Sequence, residues 1–151
     1  MPQRITRVLR ETPDTAQGCI FATCLPSVPD VTRKILADVD TALSRNGLDA
    51  HRTNVQIALA EALNNIAEHA YCGLNFGMVA LRIVDLKTQL QIHLTDWGSA
   101  MPNAEPPKTT APNPDLLAEG GYGWFLIRTI MSDVRYTRQR HSNHLTLVLQ
   151  L

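Results

Sequence analysis

The chain has no charge excess: 14 Lys and Arg stand against 14 Asp and Glu in 151 residues. No run of basic residues appears either, so the electrostatic field that nucleic-acid binding demands is missing, and direct nucleic-acid contact is not expected. No apolar run is long enough for a membrane-spanning helix, and the N-terminus lacks the pattern of a secretory signal. Cys19, Cys24 and Cys72 are odd in number and show no CxxC spacing. That argues against a disulfide framework and for a reduced, cytoplasmic protein. His141 and His144 lie close together, but no Cys or carboxylate pair accompanies them, and a structural zinc site needs more ligands. Internal repeats are absent. What remains is a length suited to one domain over residues 1–151, enough for a real hydrophobic core.

The patterning predicts alternating elements. Residues 3–10 read as an edge strand or a partner-binding extension, and Gly18 to Leu25 as a strand. After Pro26 and Pro29, Asp30 is placed to cap a helix carrying Val31, Ile35, Val39 and Leu43, which stops at Asn46-Gly47. A second helix is predicted from about Asp49 to Tyr71, with Gly73 as its stop. Met78–Val84 and Leu90–Thr95 alternate as strands around a hairpin at Asp85–Gln89. Residues 102–119 contain Pro102, Pro106, Pro107, Pro112 and Pro114 and read as a long loop of the kind that is usually functional or disordered. A third helix over Tyr122–Ser132 and two strands, Val134–Arg138 and His144–Leu149, complete the chain. This order suits an α+β fold: a two-layer sandwich with helices on one face of a mixed, mostly antiparallel sheet.

Three segments carry candidate chemistry. In Ala58-Leu-Ala-Glu61-Ala-Leu-Asn64-Asn65-Ile-Ala-Glu-His69-Ala-Tyr71, helical spacing projects Glu61 and Asn65 from one face, about a turn apart. Leu59, Ala62, Ile66 and Ala70 recur on another face. A carboxylate there can take a proton or orient water, and an amide oxygen is a hard ligand suited to Mg²⁺. The same pair alone is more often a solvated helix face. In Gln91-Ile-His-Leu-Thr-Asp96-Trp-Gly98-Ser-Ala100, an alternating strand ends in an aspartate able to accept from an exocyclic amine, although a turn-forming Asp would look the same. In Glu119-Gly-Gly121-Tyr-Gly123-Trp-Phe-Leu-Ile-Arg128, a glycine cluster opens an apolar helix, where backbone N–H groups can approach a phosphate. Glycines also serve plain turns.

Taken in this order, the segments resemble the N box and the two glycine boxes of the GHKL (Bergerat-fold) ATPases. The wording is similar in particular to the bacterial anti-sigma factor serine/threonine kinases, over about Pro29 to Leu151. The resemblance implies ATP and Mg²⁺ as cofactors. It implies Glu61 as general base, Asn65 as Mg²⁺ ligand, Asp96 as reader of the adenine amino group, and Gly98 beside the base. Gly121 and Gly123 fall in the phosphate-side loop, and Asn64 where related kinases often carry a threonine near the phosphates. Residues 102–119 correspond to a lid over the triphosphate, with Lys108 a candidate phosphate contact. His69 either lies near the Mg²⁺ helix or packs against its neighbours. One departure stands out: the first glycine box usually reads Asp-x-Gly-x-Gly, and its second glycine is here Ala100. Alanine fits only if its φ is negative or a strained turn is stabilised elsewhere.

The function that follows is an anti-sigma regulatory factor with serine/threonine kinase activity. It would phosphorylate an anti-anti-sigma antagonist with a STAS fold and control a sigma factor by partner switching. Balanced charge accords with action on transcription through protein partners. The family tends to dimerise, so a homodimer is one assembly implied. Two alternatives stay open. One is a non-catalytic GHKL-like module that sequesters a regulatory partner. The other is a histidine-kinase catalytic domain, against which stands the lack of a dimerising helix with an acceptor histidine; His51 precedes the N box too closely to serve.

Overall fold

The computed structural model describes residues 18–75, 77–108 and 122–151. The expected segment over residues 3–10 lies outside them. Chain order runs β1 (Cys19–Pro26), α1 (Pro29–Arg45), α2 (Arg52–Asn65), β2 (Met78–Asp85), β3 (Gln89–Asp96), α3 (Tyr122–Ile130), β4 (Asp133–Gln139) and β5 (Ser142–Gln150). The five strands form one sheet in the order β1-β2-β3-β5-β4, and every pairing among the described residues is antiparallel. The expected sheet was mixed and mostly antiparallel; the parallel pairing it allowed for does not occur among these strands.

Helix α1 starts one residue before the expected cap. Pro29 occupies the first turn, where its missing N–H removes no helical bond. Val28 holds the cap position without a side-chain hydrogen bond. Asp30 instead sits inside the first turn and pairs with Arg33 at 2.6 Å on the exposed face. The far end stops as read: Gly47 takes φ +74° and the Asn46 amide donates to the Ala42 carbonyl at 2.8 Å. Arg52 at the start of α2 donates through Nε to Asp40 at 2.8 Å and also bonds Asp49, tying α1 to α2.

The second predicted helix divides into three pieces. A 3₁₀ turn spans Asp49–His51, α2 follows, and Ile66–Ala70 widens into a π turn before Gly73 ends the run at φ +77°. Val55, Leu59, Ala62 and Ile66 are buried, as their spacing requires, and Ala58 and Leu63 join them. They meet a sheet face whose rows can be read strand by strand. One row runs Phe21, Ile83, Ile92, Leu147, Val134; the next runs Thr23, Leu81, Leu94, Leu145, Tyr136. Most of these side chains belong to the core. The third row changes character as it crosses the sheet: Leu25 and Val79 are apolar, then come Asp96, Asn143 and Arg138. This polar end of an otherwise apolar face lies beside the π turn.

Candidate functional site

Glu61 and Asn65 come together with the start of α3. A Cβ built on Gly123 would lie 2.6 Å from Glu61 Oε2 and 3.6 Å from Asn65 Nδ2. Only a residue without a side chain lets α3 approach the carboxylate and the amide so closely. Asn65 Nδ2 is buried and, among the described residues, is the one such side-chain atom without a hydrogen-bond partner. Leaving a buried polar group unpaired costs about 1–3 kcal/mol, so the position is suited to a ligand. A half-turn of the amide offers its oxygen in the same place.

The Asp96 end of the site is built from the π turn and two strands. Asp96 fills the fourth inward slot of β3, after Leu90, Ile92 and Leu94, and is 5% exposed. Its Oδ1 accepts from the Gly98 N–H at 2.9 Å and from Asn143 Nδ2 at 2.7 Å. A Cβ on Gly98 would stand 2.6 Å from the Ala70 carbonyl carbon, and the neighbouring Ser99 N–H donates to the Ala70 oxygen at 2.7 Å. Gly98 therefore allows the turn after β3 to lie directly on the π turn. Tyr71 closes the join. Its hydroxyl donates to the Met78 carbonyl at 2.6 Å and accepts from the Trp97 N–H at 2.9 Å. Burial pushes that hydroxyl's pKa above the ordinary range.

Ala100, which departs from the glycine-box pattern, is exposed and is not among the residues with positive φ. The condition for alanine at that place is met, without backbone strain. The left-handed residues lie just beyond, at Asn103 (φ 58°) and Ala104 (φ 52°), in a 3₁₀ turn over Pro102–Ala104.

The other expected site residues are dispersed. Asn64 is exposed on α2, and His69 is exposed on the π turn, so His69 does not pack inside the helix layer. Lys108 has a largely exposed side chain, 4.0 Å from Glu105, and no contact among the described residues joins it to Glu61 or Asn65. Gly121 and residues 109–119 lie outside the described residues. Arg128, on α3, donates to the Pro107 and Pro106 carbonyls at 2.9 and 3.0 Å and so fixes the start of the loop expected to form a lid. Two surface depressions are lined by Ala104, Glu105, Pro106 and Arg128 and by Trp97, Arg140 and His141. Neither includes Glu61, Asn65 or Gly123.

Three residues that hold the site were not singled out from the sequence, Tyr136, Arg138 and Asn143, and Tyr71 was read only as the last residue of the first segment. A signal existed for Asn143. It shares the alternation of Leu145, Leu147 and Leu149, so an amide occupies a slot where the pattern calls for an apolar side chain.

A family model described as the histidine kinase-like ATPase domain matches residues 25–149. Among curated relatives, the serine-protein kinase RsbW of Bacillus pumilus is 32% identical over 118 residues, covering 73% of each chain. The serine/threonine-protein kinase BtrW of Bordetella bronchiseptica is 31% identical over 100 residues, covering 64% of this chain and 68% of its own. A crystal structure of the RsbU and RsbW domains of a Mycobacterium tuberculosis protein superposes with a TM-score of 0.59 at 16% identity. That likeness covers 87% of this chain and 31% of the solved one, and it shows the fold alone. Matched by the family model over most of its length and by the Bacillus relative over 73% of both chains, the chain belongs to the histidine kinase-like ATPase domain family, among the RsbW-type serine-protein kinases.

Proposed function

We propose that the chain binds ATP between α2 and α3 and transfers its terminal phosphoryl group to a serine or threonine of a protein partner. The partner is an anti-anti-sigma antagonist with a STAS fold, and its phosphorylation decides whether the chain holds its sigma factor. The protein acts in the cytoplasm, on proteins rather than on nucleic acid or membrane, as a monomer or homodimer. Among the described residues no helix is long and apolar enough to cross a membrane.

The observation that carries this reading is the convergence of Glu61, Asn65 and Gly123, from two helices, on one point. Phosphoryl transfer asks little covalent chemistry of a protein; it asks for position and charge neutralisation. In this reading Glu61 aligns the attacking hydroxyl and takes its proton as the new P–O bond forms and the bond to the ADP oxygen breaks. The α3 backbone at Gly123, with Gly121 before it in sequence, offers N–H groups to the phosphates. Asp96 accepts from the adenine amino group, where guanine would present a carbonyl. Turned by half, the orphaned Asn65 amide would offer its oxygen beside the Glu61 carboxylate and, with it, would hold Mg²⁺, which would supply charge neutralisation for the phosphates.

Calorimetry with ATP and GTP, with and without Mg²⁺, tests the site, and labelled ATP with purified antagonist tests the transfer. Binding selective for ATP and dependent on Mg²⁺ is expected. Asn65→Ala should abolish that binding with the fold intact. Glu61→Ala should keep ATP and lose transfer; phosphorylation of the antagonist by this variant at the wild-type rate would remove Glu61 as the base. Binding of ATP without phosphorylation of any antagonist would leave the sequestering module as the function.

A further inference from the structure

Asp96, Asn143 and Arg138 are successive cross-strand partners on β3, β5 and β4. Asn143, 3% exposed, has every hydrogen-bonding position filled. Its Nδ2 donates to Asp96 Oδ1 at 2.7 Å and to the Ser99 carbonyl at 2.9 Å. Its Oδ1 accepts from the Tyr136 hydroxyl at 2.6 Å and from Arg138 at 2.7 Å. The same Arg138 nitrogen donates to the Gly98 carbonyl at 2.8 Å. The amide can face only one way. Reversed, its NH₂ would meet the Arg138 donor and its oxygen would meet the Asp96 carboxylate. Asp96 Oδ1 is thus saturated by the Gly98 N–H and Asn143, while no donor among the described residues reaches Oδ2.

We propose that Arg138 and Asn143 are positioning residues for base selection, fixing Asp96 so that one oxygen is satisfied and Oδ2 alone faces the exocyclic amine of a purine. This rests on the reading of Asp96 as the adenine contact and extends it to two residues on the last hairpin. Neither touches the base. They act by denying Asp96 the freedom to rotate, and so they set the discrimination between a 6-amino and a 6-oxo purine.

The test compares dissociation constants for ATP, GTP and inosine triphosphate in the wild type, Arg138→Met, Arg138→Lys and Asn143→Leu, with urea midpoints in parallel. The half-buried Arg138 can be changed with little risk to the core. Arg138→Met should lower the ATP preference about tenfold and Asn143→Leu by more, given what hydrogen bonds to charged groups contribute. Arg138→Lys, which keeps the charge but not the guanidinium, should fall between wild type and Arg138→Met. A purely structural role would weaken all three nucleotides equally and leave their ratios unchanged. An unchanged ratio in folded Arg138→Met overturns the inference while the ATP site stands. Absence of ATP preference in the wild type overturns the reading of Asp96 itself, and the inference with it.

Discussion

A methyl group added at Gly98 would press on the Ala70 carbonyl; one added at Gly123 would press on the end of the Glu61 side chain. The first neighbour is backbone and cannot yield without moving the π turn. The second is a flexible carboxylate that can swing aside. Gly98→Ala should therefore lower the urea midpoint markedly, reflecting a stability loss of about 1–3 kcal/mol, as at overpacked sites. Gly123→Ala should leave the midpoint nearly unchanged and suppress phosphoryl transfer. Equal midpoint losses in the two variants would contradict this division. At this scale the sequence was legible where chemistry is concentrated in short segments. Glu61, Asn65, Asp96, Gly98 and Gly123 could be picked out because helix period and strand alternation say which neighbours share a face, and because the three segments in this order resemble the boxes of the GHKL ATPases. Asn143 and Arg138 escaped because their meaning comes from register. Forty-seven positions separate Asp96 from Asn143, and only the pairing of β3 with β5 brings them together.

At the scale of elements, the hairpin at Asp85–Gln89, the strands and the stops at Gly47 and Gly73 followed from turn chemistry and alternation. The π turn did not. Ile66 and Ala70 keep an apolar spacing compatible with either helix type, so nothing local distinguishes one extra residue in the turn. Tyr71 makes the turn a junction, holding Met78 and Trp97 at once. Tyr71→Phe should reduce stability by about 1–3 kcal/mol, the usual result of stranding a buried partner, and weaken ATP binding through Asp96. On the sheet face away from the helices, Ala22, Arg82, His93, Thr146 and Arg135 form another cross-strand row. Burial, aided by Arg82 and Arg135, pushes the His93 imidazole below its ordinary 6.5. The unfolded chain then binds the proton first as pH falls. Stability should decline from about pH 6.5 downward until the folded imidazole itself titrates. His93→Gln should flatten that part of a plot of urea midpoint against pH.

For the whole molecule, the layer order was readable because burial of one helix stripe and one sheet face leaves few arrangements. Strand order was not, since β5 inserts between β3 and β4 and no local pattern encodes that choice. The core it creates is shared: Leu59 from α2, Leu81 and Ile92 from the sheet, and Ile127 from α3 are all essentially inaccessible. Leu59→Ala should cost about 2–5 kcal/mol and lower the thermal midpoint, without changing the preference for ATP over GTP, because it touches neither end of the site. Both ends are carried by one continuous helical run. Glu61 and Asn65 face Gly123 in its middle, and Ala70 receives the turn after Asp96 at its close. That run works as a ruler. Removing one residue from Ile66–Ala70 would narrow the π turn to an α turn and re-aim the Ala70 carbonyl that receives the turn after Asp96, even if every named side chain were kept. The separation between the group that reads the base and the groups that meet the phosphates is thus stored as a number of residues, adjustable only in whole steps.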